Sequence, residues 1–345
     1  MTPAVVLTGQ HPQLDPSDFG LSPYPVERLD CCGEEDPHRH VRAVTTALLP
    51  RLAAAPDLLV VQGDTSSALG GALAAFTSGV AVAHVEAGLR THDPRLPWPE
   101  EEYRTAIDAA ADLLFAPTQT AAANLRDEQV AGEIHVTGNT SIDALLAAEA
   151  DLAPAAPRAD GRPRILVTCH RRESWGEGLE SIAAALRELS SLAAIDFVLH
   201  PNPHVSAEMR RLLGQCAEIR LLDPCSHRAL LQRMRDSDLV LSDSGGVQEE
   251  APALGVPLLV LREKTERPEG IAAGNARLVG TSTERIVREA RALLADPQAL
   301  AAMRRRSFPY GDGHAGERIA ALVVDWLERG RRKPEKPVIR DAASW

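Results

Sequence analysis

The stretch Asp238–Ala251, DLVLSDSGGVQEEA, runs from an apolar, strand-like segment through Ser-Asp-Ser-Gly-Gly into a helix-like segment carrying two adjacent glutamates. A strand whose carboxyl end feeds straight into a helix is the repeating half-unit of a parallel α/β sheet. Gly245 and Gly246 let a ligand come close to the backbone. Ser244 and the first helical amides can hold a phosphate. Glu250, one turn in, can reach back to ribose hydroxyls. A glycine turn capped by serine is common on its own, but it leaves the two acids unexplained.

The same alternation spreads outward in both directions. Strand-like runs are expected at Val5–Thr8, Leu58–Gln62, Val80–Val85, Leu113–Ala116, Ile134–Thr137, Ile165–Thr168, Phe197–Leu199, Ile219–Leu222, Leu239–Leu241 and Pro257–Leu261. Amphipathic segments such as Val41–Ala54, Leu69–Phe76, Ala121–Asp127, Glu177–Leu189, Val205–Leu213 and Thr283–Leu294 lie between them. Strands alternating with helices predict parallel sheets covered on both faces. The segment 152–163, LAPAAPRADGRP, is rich in Pro, Ala and Gly and reads as a linker between a first domain over 1–151 and a second beginning at 164. The tail 331–345 mixes charges and proline and is expected to be mobile. Two such domains leave a cleft, and in open α/β sheets ligands sit beyond the carboxyl ends of the strands.

Composition limits what can bind there. The 345 residues are 44% hydrophobic but only 3% aromatic, so the core must be built mostly from Ala, Leu and Val. A net charge of −11 argues against a broad nucleic-acid surface. An anionic ligand must be held locally, by a few cations and helix N-termini. The five cysteines, Cys31, Cys32, Cys169, Cys216 and Cys225, show no C-x-x-C spacing, as in a reduced cytoplasm. No leader pattern opens the chain, and no apolar run approaches the roughly 18 residues of a membrane span. The reading is a soluble cytoplasmic protein without membrane or nucleic-acid partners. The G-x-G-x-x-G, G-x-x-x-x-G-K-[ST] and H-E-x-x-H patterns are absent, which argues against NAD, P-loop and zinc-peptidase chemistry. No cofactor is expected. His200 and His204 have helical i, i+4 spacing, but Pro201 and Pro203 preclude a helical metal pair, so no metal is expected either.

Residues just after strands carry the chemistry. Asp64 follows LLVVQG, Glu86 follows VAVAHV, and Glu100 lies in PWPEEEYR, where Pro99 or Glu100 should open a helix. Asp64 alone could be a helix N-cap before Thr65-Ser66, and Glu100–Glu102 could complement a helix dipole. Glu86, beside His84 at the end of a buried strand, is harder to explain that way. Three carboxylates on one cleft suit acid–base work, with burial and like charge separating their pKa values. In RILVTCHRRES, His170, Arg171 and Arg172 follow the second domain's first strand, opposite the glycine-opened helix, and suit a diphosphate.

Taken together, GDTSS, HVEAGLR, PWPEE, VTGNTSIDALL, HRRES, DSGGVQEEAP and TERPEG resemble, in order and spacing, the non-hydrolysing UDP-N-acetylglucosamine 2-epimerases, from about Leu7 to about Ile319. The resemblance implies two Rossmann-like domains facing a cleft in the glycosyltransferase-B style, the second over 164–315, with a closing helix over 316–330 that crosses back to the first. It implies interconversion of UDP-GlcNAc and UDP-ManNAc by elimination of UDP to a 2-acetamidoglucal and re-addition, supplying ManNAc units for cell-surface polysaccharide. The carried-over catalytic positions are Asp64, Glu86, Glu100 and His170. Arg171, Arg172, Ser244, Gly245, Gly246 and Glu250 match substrate contacts. Some members bind a second UDP-GlcNAc as activator, and those positions match Gln10, His11, Gln13, Arg42, Arg171 and His200, with Glu100 shared; Pro12 stands where the family often has Arg. Members are often homodimers. The family also begins with a strand and a G-T-R-P-E-A loop, and VVLTGQH resembles its second strand. One strand–helix unit is therefore expected to be encoded upstream of Met1, and its absence bears on activity. The competing readings are a hydrolysing epimerase that releases ManNAc and UDP, a transferase sharing the fold, and a sugar-nucleotide-binding remnant without catalysis.

Overall fold

The computed structural model describes residues 2–10, 14–33, 36–54, 56–154, 161–169, 171 and 175–330. The strands are β1 (Val5–Leu7), β2 (Val26–Arg28), β3 (Leu58–Gln62), β4 (Ala81–Val85), β5 (Leu113–Ala116), β6 (Glu133–Val136), β7 (Arg164–Thr168), β8 (Ala194–Val198), β9 (Ile219–Leu222), β10 (Leu239–Ser242), β11 (Leu258–Val260) and β12 (Ala276–Leu278). Every pairing is parallel. The second half of the chain forms one sheet in the order β12-β11-β10-β7-β8-β9. The chain winds outward from β7 and then returns to its other side at β10. The loops after β7 and β10 therefore flank the switch point, where α/β sheets bind ligands.

The first half forms two sheets, β1-β2 and β3-β4-β5-β6. Among the described residues no ladder joins β1 to β3, and Val60 on β3 is 53% exposed. Helices Pro37–Leu48 and Ser66–Ser78 pack tightly against one another. A Cβ on Gly70 would lie 2.8 Å from Val44 Cβ and 2.9 Å from the Val41 carbonyl. Small residues at such crossings fill a core that has few aromatics.

β2 and β12 were not expected from the sequence. Each is three residues long, and β2 is exposed throughout, so neither shows an apolar period. β8 begins three residues earlier than its apolar run because Asp196, which interrupts that run, pairs across the ladder with Arg220 of β9 at 2.6 and 2.9 Å.

Helix Ala315–Glu328 returns to the first half. Ile319, Val323 and Trp326, spaced on one helical face, pack with Ala81, Ala83 and Val85 of β4 and with Leu113 and Phe115 of β5. His314 offers no side-chain cap. Instead Asp143 accepts the amides of Ala315 (3.0 Å) and Gly316 (2.7 Å), satisfying the helix start from another element. No helix among the described residues is long and apolar enough to cross a membrane.

The turn after β4 depends on Gly88. Its φ is +83°, and a Cβ there would lie 2.3 Å from the carbonyl oxygen of Ala121. Gly88→Ala is expected to cost about 2–4 kcal/mol, combining backbone strain with a backbone clash. Urea unfolding at fixed pH measures it, and a loss below about 0.5 kcal/mol, the ordinary surface value, would mean the turn relaxes freely.

Candidate active site

Thr65, rather than Asp64, caps helix Ser66–Ser78 through Ala68 N at 3.1 Å. Asp64 therefore keeps its carboxylate for Arg104, whose Nε lies 3.1 Å from Oδ2 and whose Nη2 also donates to it. Arg104 comes from helix Glu100–Ala110, which starts where the sequence indicates. In that helix Glu101 turns inward, accepting the Thr91 and His92 amides at 2.9 Å and Arg104 Nη1 at 3.0 Å. Glu100 faces the other half of the chain: Arg171 Nη1 donates to its Oε1 at 2.8 Å. Its Oε2 is buried without a protein partner among the described residues.

Glu86 ends β4 with φ at +71°, a left-handed conformation that a non-glycine residue adopts only when its surroundings impose it. Arg267 Nη2 donates to its Oε1 at 2.5 Å, so the two halves of the chain meet through this pair. Arg267 also pairs with Glu249 (2.6 Å) and with Glu266. One guanidinium thus serves three carboxylates. Burial raises the Glu86 pKa to about 7; Arg267 opposes the rise, Glu249 and Asp64 reinforce it, and Arg104 opposes it. Glu266 goes the other way. Against its burial, Arg267, Arg262, Arg104 and Arg171 hold it well below the ordinary carboxylate range.

The stretch after β10 lies beside this cluster. Ser244 precedes helix Gly245–Leu254, but its hydroxyl caps none of the helix amides. A Cβ on Gly245 would lie 2.9 Å from Arg267 Nη1, so glycine lets the guanidinium lie against the helix start. Gly246 faces open space, with no atom within 4 Å of its would-be Cβ. Glu250 is buried and pairs with His227 Nε2 at 2.6 Å; that hydrogen bond raises the His227 pKa, against its burial. Asp243, fully buried, accepts the Arg171 amide at 2.9 Å and Cys169 Sγ at 3.2 Å, anchoring the chain on both sides of position 170. The result brings together a helix start, several arginines and a carboxylate whose pKa is raised to about 7.

A family model described as UDP-N-acetylglucosamine 2-epimerase matches residues 1–324. The chain is 45% identical over 279 residues to the Escherichia coli K12 protein named UDP-N-acetylglucosamine 2-epimerase, covering 76% of this chain and 74% of that one. To the Neisseria meningitidis protein of the same name it is 35% identical over 350 residues, covering 96% and 92%. This chain belongs to the UDP-N-acetylglucosamine 2-epimerase family. The family fold is shared as well. The Neisseria meningitidis enzyme bound to UDP-GlcNAc superposes with a TM-score of 0.84 at 34% identity, covering 94% of this chain and 92% of that one. The Methanocaldococcus jannaschii enzyme in complex with UDP-GlcNAc and UDP gives 0.79 at 32%, covering 90% and 87%. These neighbours carry the glycosyltransferase-B-like arrangement that the motifs implied.

Of the positions singled out from sequence in this family member, Asp64, Glu86, Glu100, Arg171, Ser244, Gly245 and Gly246 follow strands or open helices, and Glu250 lies in the middle of the helix that Gly245 opens. His11, Gln13, His170 and Arg172 lie outside the described residues. Among the remaining activator positions, Gln10 accepts Ser67 Oγ at 2.6 Å, Arg42 is exposed on helix Pro37–Leu48, and His200 Nδ1 accepts the Asn202 amide at 3.0 Å. Sequence reasoning missed Arg104, His227, Glu249, Glu266 and Arg267 as site residues. The available signal was TERPEG, an arginine flanked by acids shortly after an apolar strand.

Proposed function

We propose that this chain epimerises UDP-GlcNAc and UDP-ManNAc reversibly at C2 without net hydrolysis. Glu86 carries the reading: at about pH 7 it is half ionised, so it can take a proton and return one. The C2–H of the sugar is not acidified by a carbonyl, so simple enolisation is not open to it. In the forward direction ionised Glu86 removes the C2 proton. The C–H electron pair becomes the C1–C2 double bond, and the C1–O bond breaks with its electrons leaving on the UDP β-phosphate. Re-addition then forms the C1–O bond again, while a carboxyl group on the opposite face, Asp64 or Glu100, gives a proton to C2. His170 serves the leaving diphosphate. No cofactor enters this scheme.

The helix start at Ser244–Gly246 suits the diphosphate, because its amides carry partial positive charge and the Arg267 guanidinium lies against Gly245. Glu250 suits the ribose hydroxyls. Glu250→Ala is expected to weaken UDP binding by about 1.5–3 kcal/mol, the usual loss of a charged hydrogen bond. Calorimetry measures this, and unchanged affinity would move the ribose elsewhere. A homodimer and a second UDP-GlcNAc acting as activator through Gln10, His11, Gln13, Arg42, Arg171 and His200 belong to the same reading, supported by the match of these positions to the family pattern.

Incubation with UDP-GlcNAc and separation of the products tests the proposal. UDP-ManNAc supports it. UDP with free ManNAc would make the protein a hydrolase, and binding without turnover would leave a sugar-nucleotide-binding protein.

A further inference from the structure

Beneath Glu86, β4 carries His84, whose side chain is wholly buried. Its Nδ1 lies 2.6 Å from Asp108 Oδ1 and its Nε2 lies 2.9 Å from the carbonyl oxygen of Gly63. A carbonyl oxygen can only accept. Asp108 is also buried, and its other oxygen already accepts the Gly88 amide at 3.1 Å and Arg90 Nη2 at 2.8 Å. Against its burial, the imidazole on one oxygen and the Arg90 guanidinium on the other hold Asp108 below the ordinary carboxylate range, so the carboxyl is the anion and Oδ1 is an acceptor too. The imidazole must therefore donate from both nitrogens, and a ring that does so is positively charged.

The charge is balanced locally. Arg90 passes on to Glu128 through Nε and Nη2 at 2.7 and 2.6 Å, so buried His84, Asp108 and Arg90 form a neutral quartet with Glu128 at the surface. Against its burial, Asp108 raises the His84 pKa, and the Gly63 carbonyl and Glu86 add to the rise. Both ends of the bridge are turns that carry acid–base groups. Gly63, at φ +67°, immediately precedes Asp64; Gly88, at φ +83°, follows Glu86 by two residues. Between them Glu86 itself is left-handed, with the amides of Glu86 and Ala87 donating to Phe115 O at 3.1 Å. In HVEAGLR the alternate residues His84, Glu86, Gly88 and Arg90 supply the cation, the acid, the turn and the counter-cation.

We propose that His84 is a positioning residue: a permanently protonated imidazolium that clamps the Gly63 and Gly88 turns together and so fixes Asp64 and Glu86 relative to one another, with a positive charge under Glu86. This deepens the epimerase reading and rests on it for its kinetic arm. The charged groups facing the ring are Asp108 and Arg90, with Glu128 behind them and Glu86 above; Arg267 acts on Glu86 from the other half of the chain.

The bridge has a signature that fold support alone lacks. His84→Gln keeps one donor and removes the charge. It is expected to lower kcat about 10–100-fold while KM and UDP affinity stay within about 2-fold, and to move the acidic limb of the pH–rate profile upward by about half a unit or more, because ionised Glu86 has lost a cation. Asp108→Asn, which keeps the side-chain shape, should move the limb in the same direction. A folded His84→Gln protein with an unmoved limb overturns the inference. Should neither variant fold, nitrogen-15 NMR of histidine-labelled wild type decides. One ring is expected to remain doubly protonated well above an ordinary histidine pKa. Absence of any such ring overturns the inference. Because this spectrum needs no turnover, it separates failure of the bridge from failure of the epimerase assignment.

Discussion

Glu86→Gln is expected to lower kcat for UDP-GlcNAc by about 10²–10⁴-fold, the range lost when an acid–base group is removed, while UDP binding persists. The amide keeps the shape and a hydrogen-bonding oxygen for Arg267 but can neither take nor return a proton. The pH dependence follows from the same residue. Burial raises its pKa to about 7, so the ionised form needed for proton removal is lost as the pH falls through that value. The wild-type rate should drop about tenfold per pH unit below it, and the limb belongs to the coupled cluster of Glu86, Asp64 and Glu249 rather than to one side chain. Equilibrium between the two sugar nucleotides is independent of pH, so kcat/KM must show the limb in both directions. The variant should lose this limb along with its turnover. A Glu86→Gln protein with near-normal kcat would remove Glu86 from the chemistry.

Arg267→Ala has the largest expected effect on stability. Its guanidinium is shared by Glu86, Glu249 and Glu266, and all four side chains are mostly or wholly buried. Removing one partner of a buried pair leaves an uncompensated charge and costs about 3–5 kcal/mol. Arg267→Lys restores the charge but not the planar fork that reaches several carboxylates, so it should rescue only part of the loss. The pH dependence has a definite sign. Glu266 is held below its ordinary value, so the stability it contributes is present above that value and lost as the pH falls towards the folded one. The deficit of Arg267→Ala should therefore be largest near neutrality and narrow in acid. Urea unfolding across pH measures it, and a deficit independent of pH would mean that packing rather than charge carries the effect. UDP affinity should fall in the same variant, because the guanidinium lies against Gly245 at the helix start.

The strands that carry the site were legible where apolar runs reach three residues or more. The strand–Ser–Gly–Gly–helix stretch revealed the parallel α/β character and the open helix start together. Pairing was not legible. Arg267 reaches Glu86 across 181 residues and His227 reaches Glu250 across 23, from elements whose meeting depends on how the sheets and helices pack. Asp64 shows the limit at single-residue scale. Two adjacent residues could each cap the helix, and only the structure assigns the cap to Thr65 and so frees the acid. The two outermost unpredicted strands, β2 and β12, are held by ladder hydrogen bonds and neighbours rather than by a pattern of their own. His84 was visible beside Glu86, but its charge became deducible only when both of its partners proved to be acceptors.

The most direct test of proton transfer by Glu86 is solvent-isotope incorporation at C2. Wild-type protein incubated with UDP-GlcNAc in deuterium oxide should yield UDP-ManNAc carrying deuterium at C2, read by proton NMR or mass spectrometry, while Glu86→Gln at stoichiometric concentration should leave C2 protonated over the same interval. UDP-ManNAc that forms without deuterium at C2, or a Glu86→Gln protein that exchanges C2 at the wild-type rate, would contradict the account.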